Sequence, residues 1–320
     1  MTHTILLLET IADEAMHLLE GAADVKIITG FDAESLASAI KNNDVHAIIT
    51  RGKGQVRAAL MAQLPELKII ARCGVGLDNI DVAEATKRGI KVVNAPNSNA
   101  NTIAEHTISL LLVLQRNLYN AITMAKEGQW QQRGSYQGDE IHGKTLGILG
   151  MGNIGKKVAR IAHAMGMRVI YWSAEKEDVP YAFAPFEKVL KTADCISLHL
   201  PLTPETEHLI NAKALALMKP TALLINTARG GIIDQKALVT ALEHKKLAGF
   251  AADVLAVEPP ETGEPLTKHP NTYITPHVGS LTATTYAYMC RVTVENTLAL
   301  LRGEQAQENC VFNRAALGFL

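Results

Sequence analysis

From Thr4 to Thr275 the chain alternates short apolar runs with stretches whose apolar residues recur every three or four positions. Runs of the first kind are expected as buried strands, and stretches of the second kind as helices with one face on a core. In the first hundred residues Thr4–Leu8, Val25–Ile28, Ala47–Thr50, Lys68–Ala71 and Lys91–Val93 predict strands. Between them Glu34–Ile40, Val56–Leu64 and Val82–Lys87 predict helices. A continuous helix is expected over Thr102–Lys126, where Ile103, His106, Leu110, Val113 and Leu114 keep the helical period; Gly128 and the polar Gln129–Gly138 stretch end it. From Lys144 a second alternation predicts strands at Thr145–Leu149, Arg168–Trp172, Asp194–Leu198, Ala222–Asn226, Gly249–Asp253 and Thr272–Thr275, followed by a helix over Ala283–Leu301.

Strands interleaved with helices define an α/β chain. At 320 residues the chain is long for a single core. The expected architecture is two doubly wound parallel-sheet domains with an interdomain cleft. Residues 1–98 and 285–320 would form a flavodoxin-like domain. Residues 99–284 would form a Rossmann domain.

Composition narrows the function classes. Hydrophobic residues make up 48% and charged residues 20% of the chain, an ordinary globular balance. A formal net charge of −1 offers no bulk attraction for nucleic acid or an anionic membrane. Cys73, Cys195, Cys290 and Cys310 are scattered without a C-x-x-C pair, which predicts free thiols in a reducing cytoplasm. Cys73, beside Gly74, reads as a small buried residue rather than a nucleophile. The apolar run Ile5–Leu8 is too short for a signal peptide, and no run approaches the ~20 residues of a membrane span. No H-E-x-x-H, no G-x-S-x-G and no Cys/His cluster appears, so no metal is expected.

The strand Thr145–Leu149 runs directly into Gly150-Met151-Gly152-Asn153-Ile154-Gly155. In a dinucleotide turn Gly150 allows the reversal, Gly152 lets a pyrophosphate approach the backbone, and Gly155 lets helix pack close to strand. The expected helix Lys156–Met165 would turn its positive end to the phosphates. Three ionisable residues fall at or just after strand ends: Arg229, Glu258 and His277. A guanidinium grips a carboxylate at two points, an imidazole exchanges protons near neutrality, and a carboxylate beside it holds the ring in one orientation. Taken singly, Arg229 reads equally as a surface ion-pair partner, Glu258 as a solvated loop charge and His277 as a strand-end histidine. Arg51 and Lys53 follow the strand Ala47–Thr50 and are candidates for binding a substrate phosphate, against a plain reading as solvated loop charges.

Six segments then carry a likeness in one order along nearly the whole chain. They are Arg72-Cys73-Gly74-Val75-Gly76-Leu77-Asp78-Asn79-Ile80-Asp81, Val92-Val93-Asn94-Ala95-Pro96, the Gly150–Gly155 turn, Asn226-Thr227-Ala228-Arg229-Gly230-Gly231, Ala252-Asp253-Val254 and Thr275-Pro276-His277-Val278-Gly279. The chain resembles the D-isomer-specific 2-hydroxyacid dehydrogenases. The resemblance implies hydride transfer between NAD or NADP and the CH–OH group of a small D-2-hydroxy acid. It implies His277 as acid and base, Glu258 as its orienting carboxylate, Arg229 as substrate anchor, and the Val75-Gly76 backbone as cradle for the substrate carboxylate. Asp253 would hold the nicotinamide carboxamide, with Asn153, Ile154, Thr227, Ala228 and Gly279 also lining the cofactor.

Within the family the likeness is greatest to members that act on 3-phosphoglycerate. Glyoxylate/hydroxypyruvate reduction is the alternative, and a nicotinamide-sensing scaffold of the co-repressor type is a reading from a different class. Similar proteins are homodimers, with Thr102–Lys126 the expected interface helix. Two departures stand out. Ser173 occupies the place at the end of the second strand where an acidic residue grips the adenosine ribose, so NAD and NADP both remain open. The chain ends at Leu320, so no C-terminal regulatory domain is expected.

Overall fold

The computed structural model describes residues 2–318, and the chain divides into two compact units, Met1–Asn99 with Leu281–Leu320, and Ala100–Ser280. In the first unit the order is β1 (His3–Leu7), α1 (Asp13–Glu20), β2 (Val25–Thr29), α2 (Ala33–Lys41), β3 (Ala47–Thr50), α3 (Ala58–Met61), β4 (Ile69–Arg72), α4 (Val82–Lys87) and β5 (Lys91–Val93). All five strands are parallel, in the order β2-β1-β3-β4-β5. The order reverses between β1 and β3, so the loops after these two strands flank the place where such sheets bind ligands.

The second unit runs α5 (Ala100–Gln115), α6 (Leu118–Lys126), β6 (Thr145–Leu149), α7 (Asn153–Ala164), β7 (Arg168–Trp172), β8 (Ala182–Phe183), α8 (Phe186–Thr192), β9 (Cys195–Leu198), α9 (Ala212–Leu217), β10 (Leu223–Asn226), α10 (Gln235–Glu243), β11 (Gly249–Ala252) and β12 (Thr272–Ile274). Its parallel sheet has the order β12-β11-β10-β9-β6-β7-β8. Counted from β6 as the first strand, this is the doubly wound 3-2-1-4-5-6 order with one added edge strand, and the switch point lies between β6 and β9. Helix α11 (Ala283–Leu301) returns to the first unit, where Cys290, Val294 and Leu298 pack with Ile5, Leu7, Ala71 and Val93.

The strands are legible because the central ones are covered on both faces. Every residue of β3, β6, β9, β10 and β11 is buried, so these read as unbroken apolar runs. The two-residue edge strand β8 is exposed and gave no such run. Three expectations need correction. The stretch Val56–Leu64 forms only the single turn Ala58–Met61. The helix after the glycine turn begins at Asn153 rather than Lys156. The continuous helix over Thr102–Lys126 is two helices, broken where Asn117 takes a left-handed conformation at φ 48°. Asparagine adopts that region at low cost. Here Asn117 Oδ1 accepts from Asn120 Nδ2 at 2.7 Å and from the Tyr273 hydroxyl at 3.3 Å. The helix-end carbonyls are taken by a later segment, with Asp139 N–H donating to Gln115 O at 2.9 Å and the Tyr136 hydroxyl to Arg116 O.

Among the described residues no helix is long and apolar enough to cross a membrane, and no cluster of His, Cys, Asp or Glu has the arrangement of a metal site.

Candidate active site

In the second unit the chain leaves β6 through Gly150 at φ 99°, a conformation that a side chain would strain. Gly150 N–H donates to Trp172 O at 2.8 Å, and an added Cβ would stand 2.7 Å from the carbonyl carbon of His199. At Gly155 a Cβ would run into the Gly150 carbonyl oxygen. At Gly152, the N-cap of α7, a Cβ would meet nothing within 4 Å, so the backbone there faces open space. A tight turn, an open approach and a helix N-terminus together fit the pyrophosphate of a dinucleotide. Ile154 in the first turn packs against the core, and Asn153 opens the helix.

Beside this turn, at the end of β7, the Ser173 hydroxyl donates to Glu175 O within its own loop. The ion pair of this loop joins Glu177 to Lys156 of α7, at 2.7 Å, rather than the Glu175 and Lys176 that adjoin Ser173 in sequence. Tyr171 fixes Glu177: its hydroxyl donates to Glu177 O and accepts from Glu177 N–H, both at 3.0 Å.

Three residues distant in sequence gather after β10, β11 and β12. His277 Nδ1 lies 2.6 Å from Glu258 Oε2, and Glu258 Oε1 accepts the Leu255 amide at 2.9 Å. His277 sits in the left-handed region at φ 55°, where its amide donates to Asp253 O at 3.0 Å and to Thr275 O at 2.9 Å. That conformation costs about 1–2 kcal/mol, offset by these bonds. Arg229 precedes a single 3₁₀ turn, Gly230–Ile232, and Asn226 Nδ2 donates to its carbonyl at 2.9 Å. Its NH1 donates to Ala228 O at 2.7 Å. A Cβ on Gly230 would collide with the Leu255–Ala256 backbone, which is how closely this turn lies against the loop that carries Glu258.

The charges tune one another. The hydrogen bond that His277 donates to Glu258 raises the His277 pKa, burial opposes it, the carboxylate charges of Glu258 and Asp253 add to the rise, and Arg229 works against it. Burial alone would raise Glu258, but the His277 and Leu255 bonds more than reverse this. The imidazole therefore stays protonated to higher pH than the ordinary 6.5. Were this ring the proton donor of a reduction, kcat/KM in that direction would be level at low pH and fall as pH rises through an inflection above 6.5. An oxidation that uses the neutral ring would show the mirror image. Glu258→Gln should move the inflection down. pH–rate profiles read both effects, and an inflection at or below 6.5 in the unsubstituted protein would contradict the pairing.

Sequence reasoning named Asp253 and Thr227 as cofactor residues and missed the polar layer that holds them, with His106, Thr107 and Thr275. Asp253 is 2% exposed. Its Oδ1 accepts the Thr275 hydroxyl at 2.6 Å and Val278 N–H at 2.9 Å, and Oδ2 accepts Gly279 N–H at 2.8 Å. His106 Nε2 lies 2.9 Å from Thr275 Oγ1 and 3.4 Å from Asp253 Oδ1. Burial would raise the Asp253 pKa, but His106, Thr275 and the two amides bring it below the usual value. This anion holds the turn that presents His277. Likewise the buried Thr227 hydroxyl meets Thr107 at 2.8 Å, and Asn226 Oδ1 accepts the Ala228 amide at 2.9 Å. A polar residue inside an apolar stripe, as His106 and Thr107 are, was the available signal.

In the first unit the loop after β4 is pinned from both sides. Asn94 Nδ2 donates to Val75 O at 2.8 Å, and Arg72 NH1 donates to Gly76 O. Val75 and Gly76 are half-buried. Arg51 lies 3.7 Å from Glu9 and donates to the Tyr286 hydroxyl at 3.2 Å, while Lys53 is exposed.

A family model described as D-isomer specific 2-hydroxyacid dehydrogenase, NAD binding domain, matches residues 108–279, more than half of the chain. The D-3-phosphoglycerate dehydrogenase of Methanocaldococcus jannaschii is 38% identical over 310 residues, 95% of this chain, which spans 58% of that enzyme's length. The glyoxylate reductase of Pyrococcus furiosus is 37% identical over 319 residues, covering 95% of this chain and 94% of that one. The crystal structure of the TT0316 protein from Thermus thermophilus superposes with a TM-score of 0.88 at 37% identity, covering 95% of this chain and 98% of its own. With its doubly wound units, its glycine turn and these relatives, the chain belongs to the D-isomer-specific 2-hydroxyacid dehydrogenase family.

Proposed function

We propose that this protein is an NAD(P)-dependent oxidoreductase that interconverts a small D-2-hydroxy acid and its 2-keto acid. The observation that carries the reading is the 2.6 Å pair of His277 and Glu258 gathered with Arg229 at strand ends of the sheet whose β6 leads into the glycine turn. The turn Gly150–Gly155 and the α7 N-terminus would hold the dinucleotide, with Asn153, Ile154, Ser173, Thr227, Ala228, Asp253 and Gly279 along it. When bound, the nicotinamide supplies or accepts the hydride. His277 gives its proton to the keto oxygen in reduction and takes the hydroxyl proton in oxidation. Glu258 holds the ring and stabilises its charged form, and Arg229 grips the substrate carboxylate. The Val75 and Gly76 amides, which donate to no group among the described residues, are suited to a carboxylate.

We take 3-phosphoglycerate as the first substrate to test, because the loop after β3 carries two cations, Arg51 and Lys53. Glyoxylate and hydroxypyruvate are the second choice. Turnover of these acids with NADH or NAD and with NADPH or NADP tests the reading. Negligible rates throughout would instead favour a nicotinamide-sensing scaffold.

The ribose end has no strand-end carboxylate to repel a 2′-phosphate, and Lys156 and Glu177 offer one charge of each sign in their place. The expected result is a preference between NADH and NADPH of less than a hundredfold in kcat/KM, about 2.7 kcal/mol. A larger preference in either direction would count against this arrangement.

Tyr119, Ile122 and Trp130 are exposed by 60%, 54% and 68% on and just after α6. Neighbouring large apolar side chains of this kind mark a partner surface, so we place a homodimer contact here. Sedimentation should give a dimer that Trp130→Glu weakens, and a monomeric unsubstituted protein would refute it. The four free, buried cysteines accord with a cytoplasmic protein.

A further inference from the structure

Glu9 follows β1 and Arg51 follows β3, the two strands that flank the switch point of the first unit's sheet. Glu9 is 9% exposed. Its Oε1 accepts four hydrogen bonds: from the amides of Arg51 at 2.9 Å, Gly52 at 2.7 Å and Gly54 at 2.9 Å, and from the Thr50 hydroxyl at 3.0 Å. Amides that converge in this way form a concavity that usually receives an external anion. Here the chain fills it with its own carboxylate. Gly54 is required for the closure, since a Cβ there would stand 2.6 Å from Leu8 Cβ and 2.7 Å from Thr50 Oγ1. Asn79 Nδ2 ties the far side of the loop by donating to Gly54 O at 2.7 Å.

The second oxygen faces the arginine. Glu9 Oε2 is buried without a hydrogen-bond partner among the described residues and lies 3.7 Å from Arg51 Nε. The Arg51 guanidinium also lies over the Tyr286 ring, 5.3 Å from its centroid, and donates to that residue's hydroxyl. Burial would push the Glu9 carboxyl up, but the three amides and Thr50 bring it below its ordinary value, so it is an anion at neutral pH.

We infer that Glu9 is a positioning residue for substrate selection: it shapes the 51–54 loop and aims Arg51 at the phosphate of a phosphorylated substrate. The inference rests on the proposed role of Arg51 in binding that group. Because the loop's converging amides are spent on Glu9, the distal anion meets a side chain, and discrimination depends on where the guanidinium points. In Glu9→Gln the Oε1 acceptor can survive, but the charge that orients Arg51 is lost and an amide donor can replace it. Hydride and proton transfer use other residues, so the effect belongs in KM rather than kcat.

The test compares the unsubstituted protein with Glu9→Gln, Arg51→Ala and the double variant. 3-Phosphoglycerate and D-glycerate are the paired substrates, and NADH affinity is measured by fluorescence titration. For Glu9→Gln we expect KM for 3-phosphoglycerate to rise about tenfold. Its kcat, the KM for D-glycerate and the NADH affinity should each stay within about twofold. The double variant should be no worse than Arg51→Ala. If Glu9→Gln fails to fold, Glu9→Asp, which withdraws the charge by one methylene, carries the same comparison. Equal losses on both substrates, a fall in kcat alone, or multiplying effects in the double variant would overturn the inference while leaving Arg51 in its role. No selectivity loss in Arg51→Ala, or no KM advantage of 3-phosphoglycerate in the unsubstituted protein, would remove both.

Discussion

Replacing His277 by alanine is expected to lower kcat by about 10²–10⁴-fold while the affinity for NADH stays the same. That range is what a positioned general acid or base contributes. The imidazole is held by the 2.6 Å bond to Glu258 and by a backbone pinned to Asp253 and Thr275. Alanine removes the proton donor without disturbing the glycine turn, which lies on the other side of the sheet's switch point. The left-handed φ of 55° at this position adds a cost for alanine that glycine would not share. His277→Gly therefore serves as a control that separates backbone strain from lost chemistry. Steady-state kinetics and fluorescence titration of NADH check the expectation. A variant that keeps more than a tenth of kcat would remove His277 from proton transfer.

Arg229→Lys is expected to be nearly as damaging as Arg229→Ala, each lowering kcat/KM for the keto acid by about 10²-fold or more. One to two charge-assisted hydrogen bonds, at about 1.5–3 kcal/mol each, set that scale. A lysine keeps the charge but is a single point, and it cannot match the two parallel bonds of a guanidinium to a carboxylate. The substitution also removes the NH1 donation to Ala228 O, which braces the side chain against its own turn. NADH affinity should change little, because the turn that would hold the pyrophosphate lies after β6 rather than β10. Near-normal efficiency in Arg229→Lys would reduce Arg229 to a point charge.

How much of this was legible depends on which interactions are local. The strands Thr145–Leu149 and Arg168–Trp172 and the helix Ala283–Leu301 appear at the bounds their residue pattern predicts. Burial of one face or of both is written directly into the spacing of apolar residues. The tasks of Gly150 and Gly155 were also readable, because a positive φ and a close helix–strand approach exclude a side chain whatever the rest of the fold does. The break at Asn117 was not, since the helical period continues across it and the groups that take up its carbonyls come from residues 136–139.

The site divides in the same way. The sequence by itself determined the elements, the doubly wound class and the residue types able to do the chemistry, since these follow from short-range periodicity and backbone freedom. Only the tertiary structure decided who meets whom. Parallel sheets bring together the carboxyl ends of strands that are far apart in the chain. His277 therefore reaches Glu258 across 19 residues, Asp253 lies beneath both His106 and the His277 turn, and Glu9 closes on the loop of Arg51 across 42. No spacing in the sequence encodes those distances, because they are set by strand order and by which loop's amides need an acceptor.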